Sequence, residues 1–551
     1  MRIIVAQKIF EKGLKSMSQT KKQEPPKEFG KLRSFFWPVY SYELKKLIPM
    51  LLLFFFILFN YTVLRDTKDT LIVTAPGSGA EAIPFLKVYG VLPAAILFML
   101  IYAKMSNVLS KQKLFFSTVT PFILFFGFFA AILYPLRESL QPTEFCNWLQ
   151  ATLPNGFMGL IAILRHWTFS LFYIMSELWG SVCLSLLFWG FANDITRVSE
   201  SKRFYNLFGL GANFSLYFAG TFIIWASNMR RSAVDAIDPW QTSLNWLMGM
   251  VVISGFAILA IYWWINRYVL TDSRFYDQTA QKALKKDKPK LSLGQSLKYL
   301  VTSRYMGLIA ILVIAYGVSI NLVEVTWKSQ LKLQYPNPND YSAFMGNFSR
   351  VTGVATILMM FFVTGNVVRK LGWKIAALVT PVVLMITGAG FFSFMLFGRE
   401  TEGFVAALGT TPLMLAVIFG MAQNIMSKSA KYSLFDPTKE MAYIPLDQEQ
   451  KVKGKAAVDV VGARLGKSGG SLIQQMLILG LGSIGAMTPY VGIILFVVIS
   501  AWILAVIALD KRFKAAIVKK ESEESAKAGA SGEETSASSV SSTKQGKPVT
   551  T

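Results

Sequence analysis

Apolar runs of about twenty residues recur along the chain, and the short stretches between them concentrate Lys and Arg. A membrane-length reading predicts helical spans near 47–75, 84–105, 113–134, 166–193, 203–226 and 243–265. It predicts more near 304–328, 342–368, 372–397, 408–430, 456–486 and 488–509. Ahead of the fourth span, MGLIAILRHW has the length of a re-entrant or interfacial segment. The polar stretch 266–303 divides the spans six and six, the layout of a two-half transporter. The expected organisation is a basic N-terminal arm (1–46), a first half (47–265), a linker (266–303), a second half (304–509) and a tail (510–551). The tail lacks the apolar residues for a core and is expected to be disordered. The expected fold is all-α and polytopic, with about twelve transmembrane helices in two six-helix halves.

Positive charge orders these spans across the bilayer. Lys21, Lys22, Lys27, Lys31, Arg33, Lys45 and Lys46 precede the first span. Further groups follow at Lys104, Lys111 and Lys113, at Arg197, Lys202 and Arg203, at Lys282 to Lys290, and at Arg369, Lys370 and Lys374. The opposite loops are poorer and mixed, with Arg137 beside Glu138 and Arg399 beside Glu400. Alternation of this kind predicts that both termini are cytoplasmic and that the first span is the insertion signal. Two short echoes link the halves: NYTVLRDTK (Asn60 to Lys68) with NLVEVTWK (Asn321 to Lys328), and GLGANFS (Gly209 to Ser215) with RLGKSGGS (Arg464 to Ser471).

Composition narrows the class. A mean hydropathy of +0.44, with 53% hydrophobic residues over 551, is more apolar surface than a soluble protein hides. The net charge of +24 is dispersed between spans and accompanies no nucleic-acid-binding motif, so it points to membrane topology and an anionic cargo. Two cysteines, Cys146 and Cys183, and one histidine, His166, support neither a disulfide framework nor a Cys/His metal site. No cofactor is implied, and a monomer is expected to suffice.

The informative exception to apolarity is LRDTKDTL, Leu64 to Leu71, inside the first span. That span is roughly 40 Å long if helical throughout, so its charges lie within the bilayer, where ionisable groups are costly and face a pathway. Arg65 and Lys68 share a helical face, and a guanidinium fork beside a point charge suits a polyphosphate. The bland alternative is neutralisation by Asp66 and Asp69. Glu177, in FYIMSELWGSV, has no local base and predicts a partner on another helix. Glu324 has Lys328 one turn later, as a simple i, i+4 pair or as part of a gate.

Between Lys455 and Ser471, KAAVDVVGARLGKSGGS carries Lys455, Asp459, Arg464 and Lys467. A phosphate-binding P-loop would need Gly where Val461 stands, so Gly466-Lys467-Ser468 does not predict hydrolysis. Lys455 and Lys467 would lie about 18 Å apart on one helix. Lys467 is therefore the candidate phosphate ligand, and Lys455, with Asp459 and Arg464, a candidate for gating. Tyr61, Tyr173, Trp179 and Trp327 flank these charges as candidates for stacking on a base, or equally as packing and interfacial residues.

Four separated segments, LRDTKDTLIVTAPGSGAEAIPFLK, SELWGSV with LFWGFANDIT, EVTWKSQLK and KAAVDVVGARLGKSGGS, resemble the ATP/ADP translocases of obligate intracellular bacteria and plastids, over about Phe29 to Lys514. The resemblance implies a nucleotide antiporter of about twelve helices, with a major-facilitator-like fold and unrelated to the mitochondrial carrier, with transport roles for Lys68, Glu177, Glu324 and Lys467. It adds Asn213, in GLGANFS, as a phosphate contact. The expectation is import of ATP in exchange for ADP, with phosphate as a companion of ADP. A proton-coupled importer of other nucleotides is the alternative, and an integral membrane transferase using the carboxylates is the reading from another class.

Overall fold

A computed structural model describes residues 37, 39–229, 238–272, 275, 303–446, 454–455, 458 and 462–541. Most of the expected linker, and Asp459, lie outside the described residues. The described chain is helical. In order the principal helices are α1 (Leu44–Thr74), α2 (Ala82–Val108), α3 (Lys111–Leu133), α4 (Thr143–Thr152), α5 (Met158–Arg165), α6 (Trp167–Ile195) and α7 (Val198–Asn228). They continue with α8 (Pro239–Val269), α9 (Arg304–Gln334), α10 (Pro338–Phe362), α11 (Thr364–Leu396), α12 (Pro412–Ala442), α13 (Ala463–Leu481) and α14 (Ile484–Ser541).

Eleven helices among the described residues are long and apolar enough to cross a membrane. The twelfth expected span is α13, whose Arg464, Lys467, Gln474 and Gln475 lower its hydropathy. Helices satisfy every backbone group within one segment, which is why sequences of this composition adopt them in lipid. Large apolar side chains such as Leu100, Ile253, Ile386 and Ile493 stand on the outer surface, facing where acyl chains would be. The segment before α6 is indeed separate: α5 ends at His166, whose φ/ψ of −105°/48° breaks the helix. In α11, Gly372 (φ 79°) permits a left-handed break after a first short stretch. At the C-terminus the structure departs from the expected disorder, because α14 continues to Ser541. The run KKESEESAKA supplies helix formers with Lys and Glu one turn apart, a sequence that favours continuation of the helix.

The first helix of each half is buried along most of its length, α1 packed against α6, α7 and α8, and α9 against α12, α13 and α14. The halves meet in a long seam between α7 and α10. A Cβ at Gly220 would lie 2.6 Å from the Arg350 backbone nitrogen, so only glycine permits that approach. Gly466 serves the same purpose inside the second half, where a Cβ would meet the Ile314 carbonyl at 2.9 Å.

Further contacts between halves gather at the end of the molecule reached by the C-terminus of α1. Gln475 donates to the Pro84 carbonyl (2.7 Å), Ser243 to Asn339 (2.6 Å) and Ser227 to Ser342 (2.9 Å), while Lys332 bonds the Ser78 carbonyl. A Cβ at Gly156 would strike the backbone of Ile478 and Leu479. The halves are thus tied at the end away from Leu44, where α1 begins.

Candidate functional site

The charges of LRDTKDTL lie within the last three turns of α1, where that helix passes between the two halves. Lys68 and Lys328, from the facing helices α1 and α9, share the carboxylate of Asp69. Lys68 Nζ lies 2.9 Å from Oδ1 and Lys328 Nζ 2.8 Å from Oδ2. These three side chains are at most 4% exposed. Each lysine has a second carboxylate that is more open: Glu177 at 3.0 Å from Lys68, with its side chain 31% exposed, and Glu324 at 2.9 Å from Lys328, 23% exposed. Lys87 reaches Glu324 from the first half at 3.4 Å and bonds Asn321 Oδ1 at 2.7 Å. The predicted pairing of Glu177 with another helix therefore holds, but its base, Lys68, belongs to the same half. Glu324 has both a local partner and one across the interface.

Arg65 takes a separate direction. Its Nε donates to Asp66 (2.9 Å) and a terminal nitrogen donates to Ser349 Oγ on α10 (2.6 Å), which donates in turn to Asp66 (2.5 Å). Neutralisation within the segment is real and runs through adjacent pairs: Asp66 takes Arg65, while Asp69 takes Lys68 rather than Arg65. Lys467 stands exposed on α13, so Gly466-Lys467-Ser468 is helix and not a phosphate-binding loop. The charged groups acting on Lys467 include Glu177, Glu324, Lys87 and Lys431. It therefore belongs to the same charged region as the pairs on α1 and α9.

Other expected residues sit elsewhere. Lys455 pairs with Glu440 (2.6 Å), both about half exposed, and Arg464 is exposed. Asn213 lies in the α7–α10 seam, where its amide donates to the Gly209 carbonyl (2.8 Å) and its backbone abuts Gly353, one turn along α10 from Ser349. Trp179 and Trp327 do not offer faces for a base. Both are buried, donating to the Ile57 carbonyl (3.0 Å) and the Val417 carbonyl (2.9 Å), and pack among other rings. Indole N–H groups buried in apolar surroundings need such acceptors. Tyr173 is buried with Lys68 Nζ 3.7 Å from its ring centroid, so its ring serves the cation. Tyr61 is part-buried beside Arg65 and is the stacking candidate that retains an open edge.

Sequence reasoning passed over Lys87, Ser349 and Lys428. Lys87, in IPFLKVYG, and Lys428, in NIMSKSAKY, are single bases inside apolar runs, the signal that had singled out LRDTKDTL. Ser349, in GNFSRVTG, carries no such signal. Lys87 lies in a π-helical stretch (Leu86–Val91), and further π stretches begin three residues after Glu177 (Gly180–Phe188) and Lys428 (Lys431–Phe435). Local widening of this kind recurs at functional positions in helices.

The arrangement brings six cations, Arg65, Lys68, Lys87, Lys328, Lys428 and Lys467, to a region with four carboxylates, Asp66, Asp69, Glu177 and Glu324. An excess of positive charge between two helical halves suits an anion. No group of acidic, Cys or His side chains that could hold a metal occurs among the described residues.

Comparison with known proteins agrees with this geometry. The D-xylose-proton symporter structure superposes with a TM-score of 0.50 at 12% identity, over 85% of this chain and 97% of that one, which shows a shared major-facilitator-like fold. ADP,ATP carrier protein 1 of Chlamydia trachomatis is 62% identical over 501 residues, 91% of this chain and 95% of its own. The chloroplastic ADP,ATP carrier protein 1 of Arabidopsis thaliana is 56% identical over 87% of this chain and 76% of its own, and ADP,ATP carrier protein 1 of Rickettsia typhi 43% identical over 89% and 98%. The profile of the TLC ATP/ADP transporter family matches residues 22–513, and with both halves and the charged region inside that match, this chain belongs to the TLC ATP/ADP transporter family.

Proposed function

We propose that this protein exchanges ATP for ADP by alternating access, importing ATP and exporting ADP, with phosphate accompanying ADP. The observation that carries the reading is the excess of cations over carboxylates where α1 and α9 face each other. The printed names of its relatives, ADP,ATP carrier proteins, support the same reading. The phosphates would rest on Arg65, Lys68 and Lys467, and the base against Tyr61. With both termini in the cytoplasm of a bacterial inner membrane, the tied end faces outward, and this conformation is the one open to the cytoplasm.

Exchange follows from charge. An empty site with surplus buried cations is unfavourable to close around, whereas a nucleotide polyanion neutralises it. ATP and ADP differ by one phosphoryl group, so a site that offers several lysine ammoniums beside a guanidinium accepts both without hydrolysis.

Purified protein in liposomes tests the proposal. Uptake of labelled ATP should require ADP inside and should proceed without release of phosphate from ATP. Uptake driven by a pH step with empty vesicles would replace exchange with proton symport, and chemical alteration of the nucleotide would replace transport with transfer.

A further inference from the structure

Lys428 differs from the other buried cations of the site. Arg65, Lys68, Lys87 and Lys328 each have a carboxylate within ion-pair distance. Among the described residues Lys428 has none; its Nζ instead lies 4.5 Å from the centroid of the Phe348 ring on α10. Phe348 directly precedes Ser349, whose Oγ accepts from Arg65 at 2.6 Å, so Lys428 of the second half and Arg65 of the first approach consecutive residues of α10. Glu324, Asp66 and Lys328 are the other charged groups in this surrounding.

Arg65 is oriented for such a meeting. Its Nε is engaged by Asp66 and one terminal nitrogen by Ser349, which fixes the guanidinium plane and leaves the other terminal nitrogen without a described partner. Two facing cations with no carboxylate between them repel, and an anion between them converts that repulsion into two attractions. Phe348 offers the ammonium the negative face of its ring.

We propose that Arg65 and Lys428 form an anion slot across the interface of the halves, that it receives the terminal phosphate of the nucleotide, and that Lys428 makes affinity depend on the number of phosphates. This deepens the exchange reading and rests on it for the identity of the ligand. The slot joins α1 of one half to α12 of the other, so a bridging phosphate favours their approach. Substrate binding is thereby coupled to closure of the open end. Glu324 and Asp66, the nearest carboxylates, limit how much surplus charge the empty slot holds.

The test is binding by the purified full-length protein in nanodiscs to ATP, ADP, AMP and pyrophosphate, for the wild type, Lys428→Gln and Lys428→Arg. Lys428→Gln should weaken ATP by about tenfold or more, ADP less, and AMP little, because the Coulomb attraction scales with ligand charge. Lys428→Arg should retain most of the affinity, and unchanged AMP binding by Lys428→Gln shows that the variant is folded. Equal losses for ATP and AMP, or no loss for ATP, would overturn the slot. Pyrophosphate separates the two readings. A wild type that binds pyrophosphate but no nucleotide, with that binding lost in Lys428→Gln, sinks the nucleotide reading and keeps the anion slot. Equal pyrophosphate affinity in the wild type and Lys428→Gln sinks the slot alone.

Discussion

Replacing Asp69 with Asn tests the centre of the site with almost no change in volume. Asp69 is 1% exposed and holds Lys68 at 2.9 Å and Lys328 at 2.8 Å, so solvent screens neither interaction appreciably. Without the charge, two ammoniums remain within about 8 Å of each other and repel by about 2 kcal/mol at an effective dielectric near 20. Removing one member of a buried charge group costs about 3–5 kcal/mol. Glu177 and Glu324 still hold the two lysines at 3.0 and 2.9 Å, which places the expected loss at the lower end of that range. In detergent, the apparent melting temperature read by tryptophan fluorescence should fall by about 3 °C, a loss of about 3 kcal/mol against an unfolding entropy of about 1 kcal/mol/K for a chain of this length. Adding Lys328→Met to Asp69→Asn removes the stranded cation and should recover a large part of that fall. An Asp69→Asn protein that melts with the wild type, or a double variant whose loss is the sum of the single losses, would refute the account of a shared carboxylate.

Two further outcomes are expected. In a protein whose buried Cys146 and Cys183 are replaced by Ala, Ser227→Cys with Ser342→Cys should form a disulfide on oxidation, because the serine oxygens are 2.9 Å apart across the halves. Exchange should then stop and return on reduction; continued exchange by the fully crosslinked protein would mean that the tied end does not open during transport. His166, in the break between α5 and α6 and so ahead of the span Trp167–Ile195, is buried with Nε2 2.8 Å from the Pro76 carbonyl, and burial lowers its pKa below the ordinary 6.5. A depressed histidine stabilises the fold above the unfolded-state value and loses that contribution as pH falls below it. Wild-type melting temperature should therefore drop below pH 6.5 by more than that of His166→Gln, and parallel pH profiles for the two would exclude His166 as the cause.

Much of the molecule was legible in the chain. Span lengths follow from bilayer thickness and span chemistry from lipid, so a one-dimensional pattern fixes where helices form, and the break before α6 was visible in MGLIAILRHW. The cost of charge in hydrocarbon marked LRDTKDTL, Glu177 and Glu324 without any knowledge of their neighbours. Applied to every span, the same reasoning would have found Lys87 and Lys428. What the sequence alone did not determine was partnership. That Asp69 serves lysines of both halves, that Glu177 takes Lys68 and Lys87 takes Glu324, and that Ser349 fixes Arg65 depend on which helices face one another. Trp179 and Trp327 show the same limit, since an aromatic ring beside a charge has one sequence signature whether it lines a cavity or fills a core. Tertiary structure decided these points because ion pairs and ring contacts act over a few ångströms in space between residues up to hundreds of positions apart, whereas hydropathy acts on each segment separately.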